Sequence, residues 1–176
     1  FACFTAANAI DHRIQAPRFA GLEFPGSPAS IAKLTAFLET TDPAAWTRPP
    51  ADGLPTPIFL VGFPRSGTTL LQQVLAGHPD LATLEEQDNF RDAHRELLLA
   101  PGALERWGSL PTETLAKWRA DYWQRVARKS GDLAAGRSYV DKLPMNLAVM
   151  PVIHLLFPGA KFVFALRDPR DVIVSC

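Results

Sequence analysis

Gly62, Arg65, Ser66, Gly67, Thr68 and Thr69 form a glycine-bounded loop, G-F-P-R-S-G-T-T. An apolar run, Ile58 to Val61, leads into it, and an apolar-periodic stretch follows it through Leu70, Leu71, Val74 and Leu75. A strand, a tight loop and a helix start in that order aim loop N–H groups and a helix N-terminus at one anion. The spacing is that of the phosphate-binding loop G-x-x-x-x-G-K-[ST], with one departure. Thr68 stands where the lysine belongs, and the cation sits inside the loop at Arg65. A second group lies at the far end of the chain. Arg167 follows the apolar run Lys161 to Leu166, and Ser175 lies eight residues on, about two helical turns. A guanidinium recognises phosphate in a planar, bidentate way, and a hydroxyl adds a donor. Two such sites at strand ends suit a ligand with two separated phosphates.

The elements that position these residues are legible along the chain. Residues 1–10 read as the end of a helix and 11–30 as Pro- and Gly-rich loop. Ile31, Leu34 and Phe37/Leu38 give 28–40 a helical period, and the Pro-rich stretch 42–56 reads as a linker. Gly77-His78-Pro79-Asp80 stops the helix after the phosphate loop. Leu81 to Leu84 is a short strand, and Asp88 to Leu99 and Thr112 to Lys129 are helices. The second of these carries Leu115, Trp118, Tyr122 and Val126 on one stripe. Tyr139 to Asp141 ends a strand, Asn146 to Leu156 is an apolar helix, and Lys161 to Leu166 is a second buried strand. Asp168-Pro169 has the cap-then-proline order of a helix start. Buried strands that each run into a loop and a helix imply an α/β fold. Its parallel sheet is flanked by helices and its ligands bind at the carboxyl ends of the strands. We divide the chain into a helical extension with its linker, 1–55, and the start of a P-loop-type domain, 56–176.

Of the 176 residues 47% are hydrophobic and 20% charged, and the formal net charge is zero. No global field draws such a chain to nucleic acid or to an anionic membrane, so any anion site is local. There is no apolar run of about 18 residues to span a bilayer. Cys3 and Cys176 read as free thiols of a cytoplasmic protein rather than a disulfide. No metal-ligand constellation is present: there are no paired cysteines and no H-E-x-x-H. The chain begins at Phe1 and stops at Cys176 in the first turns of a helix, which reads as part of a longer protein truncated at its C-terminus.

PRSGTTLL together with RDPRDVIVS resembles the sulfotransferases that use 3′-phosphoadenosine 5′-phosphosulfate (PAPS). Arg65 in the loop is similar to the tyrosylprotein branch and its bacterial relatives, many of which carry tetratricopeptide repeats ahead of the catalytic domain. Phe4 to Ile10 looks like the tail of such a region. The resemblance covers about 56–176. It implies that Ser66, Gly67, Thr68 and Thr69 hold the 5′-phosphosulfate and that Arg65 faces the sulfuryl group or the leaving phosphate. Arg167 and Ser175 would then hold the 3′-phosphate. It also implies that Glu86, second of the pair Glu85-Glu86, is the base for an acceptor hydroxyl. Lys142, in VDKLPMN with Asn146, would neutralise the bridging oxygen. The implied co-substrate is PAPS with no metal, and the implied acceptor is a hydroxyl or amine of a small molecule, glycan or peptide, protein tyrosine included. Asp88 stands where the tyrosylprotein enzymes carry an arginine that contacts an acidic peptide, which speaks against such an acceptor. His78 reads as turn structure, and His154 and the four tryptophans as core. A P-loop kinase or NTPase is the competing enzyme class and needs the missing lysine. A fragment that binds nucleotide without turnover is the non-enzymatic alternative.

Overall fold

The computed structural model describes residues 2–19, 24–130 and 137–175. Four strands, β1 (Ile58–Gly62), β2 (Leu81–Leu84), β3 (Ser138–Lys142) and β4 (Lys161–Ala165), form one parallel sheet in the order β2-β3-β1-β4. Ile58 lies opposite Val140 on one side and Lys161 on the other, so β1 is fully flanked. Its Phe59, Leu60 and Val61 are wholly buried. Parallel neighbours need crossovers, and helices supply them. In chain order after α1 (Ala2–Phe19) and α2 (Pro28–Thr40), these are α3 (Thr68–Ala76) after β1, α4 (Arg91–His94) and α5 (Thr112–Ser130) between β2 and β3, and α6 (Met150–Leu156) before β4. The sequence-predicted α/β class, parallel strands and strand-to-loop-to-helix order are the observed ones.

Departures from the sequence reading have local causes. A helix, Ala2–Phe19, runs through much of the stretch expected as loop, since Ala6, Ala7, Ala9 and Ala16 favour it. The helix expected from Asp88 begins only at Arg91, because Asp88 to Phe90 make a turn, and it widens over Arg95–Leu99, where the Ala100 N–H bonds to the Arg95 carbonyl. The helix expected over 146–156 is a tight 3₁₀ segment, Pro144–Val149, followed by α6. Pro151 has no N–H to continue an α-helical ladder from Leu147. In α3 the apolar positions Leu70 and Val74 face solvent, while Thr68 and Gln72 are buried and Gln72 Nε2 donates to the Leu84 carbonyl at 3.3 Å. Strand β4, an apolar run, is the outer strand of the sheet among the described residues, with Phe164 47% exposed.

The core lies between the sheet and α5. Leu115, Trp118, Tyr122 and Val126, the predicted stripe, are all buried there. Phe59, Phe90, Tyr122 and Phe157 pack ring against ring. All four tryptophans are buried, as expected. Leu34 of the helix Pro28–Thr40 and Trp46 join the same core, and Trp46 meets Trp107 edge-on at 4.7 Å. Among the described residues no helix is long and apolar enough to cross a membrane. The free thiol of Cys3 is exposed, while Cys176 lies outside the described residues.

Asp52 and Arg119 tie residues before β1 to α5. The guanidinium donates to both carboxylate oxygens, at 2.6 and 2.7 Å, and also to the Leu156 carbonyl at 2.8 Å. Arg119 holds the Asp52 carboxyl below its ordinary value of 3.8. The stabilisation is therefore present above that value and fades as pH falls through the lower folded one. Arg119 is buried but Asp52 reaches solvent, so losing these charge-assisted hydrogen bonds costs about 1.5–3 kcal/mol rather than the full penalty of a stranded buried charge. Arg119→Met should lower the unfolding free energy at pH 7 by that order in urea titrations. Between pH 4 and pH 2 the gap to wild type should narrow.

Candidate active site

Each of the four strands ends at the same edge of the sheet, and each strand end carries polar residues. After β1 the chain turns sharply from Gly62 to Gly67. Glycine is required at 62, because a Cβ there would lie 2.8 Å from the Ala165 carbonyl oxygen and 2.8 Å from Ser66 Oγ. Gly67 caps α3 in the left-handed conformation, φ 93°, where a side chain would be strained. With no Cβ at 67 the space before the N-terminus of α3 is open, and no side chain caps its N–H groups. That is an anion cradle of a kind that fits a phosphate. Arg65 also has positive φ, 69°, which costs an ordinary residue about 1–2 kcal/mol. Three hydrogen bonds hold it. Its Nε donates to Ser175 Oγ at 3.0 Å and to the Ser175 carbonyl at 3.1 Å, and its own carbonyl accepts from Arg167 Nη1 at 3.1 Å.

Arg167 lies just beyond β4, and Ser175 ends the helix α7 (Pro169–Ser175). Asp168 caps α7 as its sequence suggested, accepting from the Arg170 N–H at 2.9 Å. Beyond β2 come Glu85 and Glu86. They diverge: Glu86 lines the cleft shared with the phosphate loop, and Glu85 faces a separate cleft beside Arg137 and Tyr139. Lys142 is the last residue of β3. Its side chain is 6% exposed, and its Nζ meets Glu86 Oε1 at 2.5 Å. The Glu86 side chain is 51% exposed, so this carboxylate is half-solvated and ion-paired rather than enclosed.

One cavity of about 440 Å³ collects these groups. Arg65, Gly67, Thr68, Thr69, Glu86, Arg167 and Ser175 line it, with Leu143 to Met145 as an apolar wall. Lys142 reaches it through Glu86. Ser66 does not line it: its buried Oγ folds back toward Gly62 and has no hydrogen-bond partner among the described residues. The Ser66 N–H donates to the Phe63 carbonyl at 3.1 Å and closes the loop turn, so the open donors of the cradle are those that follow Gly67. His78 accepts from the Asp80 N–H at its Nδ1, a turn role. His154 packs against Trp46, and burial together with Arg48 lowers its pKa. Asp88 pairs with exposed Arg91 at 3.9 Å.

Beneath the Glu86–Lys142 pair lies a polar network for which sequence reasoning had no signal. Asp141, wholly buried, accepts at Oδ2 from Tyr122 at 2.8 Å and from Asn89 Nδ2 at 3.2 Å. Its Oδ1 has no partner among the described residues. Burial raises its pKa to about 6, and the two hydrogen bonds oppose the rise. Buried His94, stacked on Phe90, is pushed the other way, to about 4, by burial, with Asp88 opposing.

Residues 57–176 match the model of the sulfotransferase family. Nodulation protein NoeE of Sinorhizobium fredii is 35% identical over 136 residues, covering 69% of this chain and 31% of that protein. Protein-tyrosine sulfotransferase 1 of Homo sapiens is 30% identical over 130 residues, 67% of this chain and 33% of that protein. The protein-tyrosine sulfotransferase of Drosophila melanogaster is 29% identical over 128 residues, 67% and 24% respectively. The chain spans about a third or less of the length of each of these relatives.

The opposed titrations of Asp141 and His94 make a measurable prediction. From pH 6.5 to 4 the unfolded chain protonates its His94 and the native chain does not, so this group lowers stability as pH falls. From pH 6 to 3.8 the native chain protonates Asp141 and the unfolded chain does not, so this group raises stability as pH falls. In wild type the two slopes offset each other. Asp141→Asn removes one of them. Between pH 6 and 4 its unfolding free energy should drop by about 1 kcal/mol more per pH unit than wild type's, followed by urea unfolding. Parallel pH profiles would count against the buried ionisations. The match over 57–176, which takes in the phosphate loop and all four strands, shows that the chain belongs to the sulfotransferase family.

Proposed function

We propose that the protein transfers a sulfuryl group from PAPS to an acceptor hydroxyl. The observation that carries this reading is the convergence of the phosphate loop, the Arg167–Ser175 pair and the Glu86–Lys142 pair on one cavity. The Gly67–Thr69 cradle would take the 5′-phosphosulfate on its N–H groups. Arg167 and Ser175, one strand over, would take the 3′-phosphate. When bound, PAPS supplies an activated sulfuryl group: its S–O bond to the bridging oxygen breaks as the acceptor oxygen bonds to sulfur, and adenosine 3′,5′-bisphosphate leaves.

The chain's own residues divide the remaining work. Glu86 takes the acceptor proton, and Lys142 engages its Oε1. Lys142 and Arg65 put fixed positive charge beside the oxygen on which charge develops. A kinase reading lacks its cation, because Thr68, at the place of the kinase lysine, is buried with 4% exposure. The relatives named protein-tyrosine sulfotransferase support a phenolic hydroxyl as acceptor. Asp88 continues to speak against a strongly acidic peptide around it.

Calorimetry with adenosine 3′,5′-bisphosphate, AMP and ATP tests the donor site. Wild type should prefer the bisphosphate. Arg167→Ala should weaken bisphosphate binding by about 2–4 kcal/mol, the scale of a charge-assisted bidentate contact, and AMP binding by less than about 1. Equal losses for both ligands would remove Arg167 from the 3′-phosphate site.

Turnover tests the base. Glu86→Gln in the native protein should lower kcat by at least about 10²-fold with nucleotide affinity retained, while Glu85→Gln, on the other cleft, should keep its turnover. The reverse pattern would assign the role to Glu85.

A further inference from the structure

We infer that Asp141 is a positioning residue for the transfer reaction, acting through Asn89 to set the loop that carries Glu86. The inference rests on the reading of Glu86 as the base. Glu86 belongs to the connection 85–90 between β2 and α4, which has no regular structure of its own. A base on such a loop wanders unless both ends are tied, and transfer chemistry is sensitive to misplacements of about 1 Å.

The ties are specific. At the front, β2 is paired to β3 through Leu84, which sits opposite Asp141. Gln72 Nε2 from α3 holds the Leu84 carbonyl. At the back, Asn89, 5% exposed, reaches Asp141. In the middle, Glu86 meets Lys142, the neighbour of Asp141 on the same strand. Consecutive strand residues point to opposite faces. Two adjacent positions of β3 therefore hold the loop from two sides, Lys142 at the base itself and Asp141 three residues further along the loop.

A carboxylate is a costly choice for that second anchor. It is wholly buried, both its hydrogen bonds fall on one oxygen, and the other oxygen has no partner among the described residues. Apolar packing at this wholly buried site would serve folding without a desolvated acid. What a leucine cannot do is accept from Asn89. Tyr122, fixed in the core and donating to the same Oδ2, holds the carboxylate in the orientation that Asn89 meets.

The test uses the native protein with Asn89→Ala, Asp141→Leu and the double variant. Two readouts are needed, hydrogen exchange of the 85–90 amides and steady-state sulfuryl transfer. Asn89→Ala should speed exchange at 85–90 at least tenfold and leave the 65–69 amides unchanged. It should lower kcat at least tenfold while bisphosphate affinity stays within twofold. The double variant should be no more than twofold worse than the poorer single variant, since both cut one connection. Unchanged exchange in Asn89→Ala, multiplying kcat losses, or a loss confined to nucleotide affinity would each overturn the proposal. Should Asp141→Leu fail to fold, Asn89→Ala decides the matter alone. If wild type transfers no sulfuryl group, the functional reading fails, and the exchange arm still reports whether Asp141 holds the loop.

Discussion

The pairing of β1 with two parallel neighbours governs the rest of this molecule. Ile58 is matched to Val140 and to Lys161, so three strands run in step: β1 and β4 end level at Gly62 and Ala165, and β3 ends at Lys142 opposite Leu60. β2 ends at Leu84 opposite Asp141, one residue short of the end of β3. Parallel strands in this stagger deliver four chain segments to one edge: the phosphate loop, the Glu86 connection, Lys142 and Arg167. A shift of one residue in any pairing would turn the strand's alternate side chains to the wrong face. It would also pull its functional segment some 3.3 Å out of place. The large buried rings on α5 and β1 therefore act on function indirectly, by making that register the only well-packed one.

That edge stores more strain and buried polarity than a purely structural sheet end needs. Arg65 sits in a left-handed conformation that glycine would adopt without cost. Ser66 Oγ, Asp141 Oδ1 and Asn146 Nδ2 are buried without partners among the described residues. Such features persist only where surrounding contacts over-determine them, and they gather at functional sites. The contacts here are nameable: Arg167 on the Arg65 carbonyl, Ser175 on its guanidinium, and Tyr122 with Asn89 on Asp141. The same contacts link the segments from β1 and β4 on one side of the cavity and those from β2 and β3 on the other.

The strands and the phosphate loop were legible because each is local. An apolar run ending at Gly62, or at Arg167 and Asp168-Pro169, carries its own start and stop signals. The α5 stripe was legible because four residues at helical spacing must share a face. Periodicity does not say which face meets the sheet, and α3 shows the limit: Leu70 and Val74 share a face, and that face is exposed while Gln72 is turned inward. The Glu86–Lys142 contact and the Asp141 network were illegible for a different reason. Their partners lie 56, 52 and 19 residues apart, and a buried acid has the same letter as a solvated one. Composition could not reveal that Asp141 is wholly enclosed.

The electrostatics of the cavity tie these observations together. The chain is neutral overall, so its attraction for an anion comes from placement alone. Arg65 and Arg167 are brought to the same wall and linked by a hydrogen bond, and Lys142 stands behind Glu86. Both arginines line the cavity, so an anion seated in it would lie within reach of two positive charges. Arg65 meanwhile donates to Ser175 Oγ, the hydroxyl expected to serve a phosphate, so ligand and guanidinium compete for one acceptor–donor position. A ligand with a single phosphate can satisfy the cradle and leave that contact intact. On the proposed reading, a ligand with two phosphates would occupy both strand ends and free Arg65 from Ser175, and the neutral chain would prefer it through the placement of charge alone.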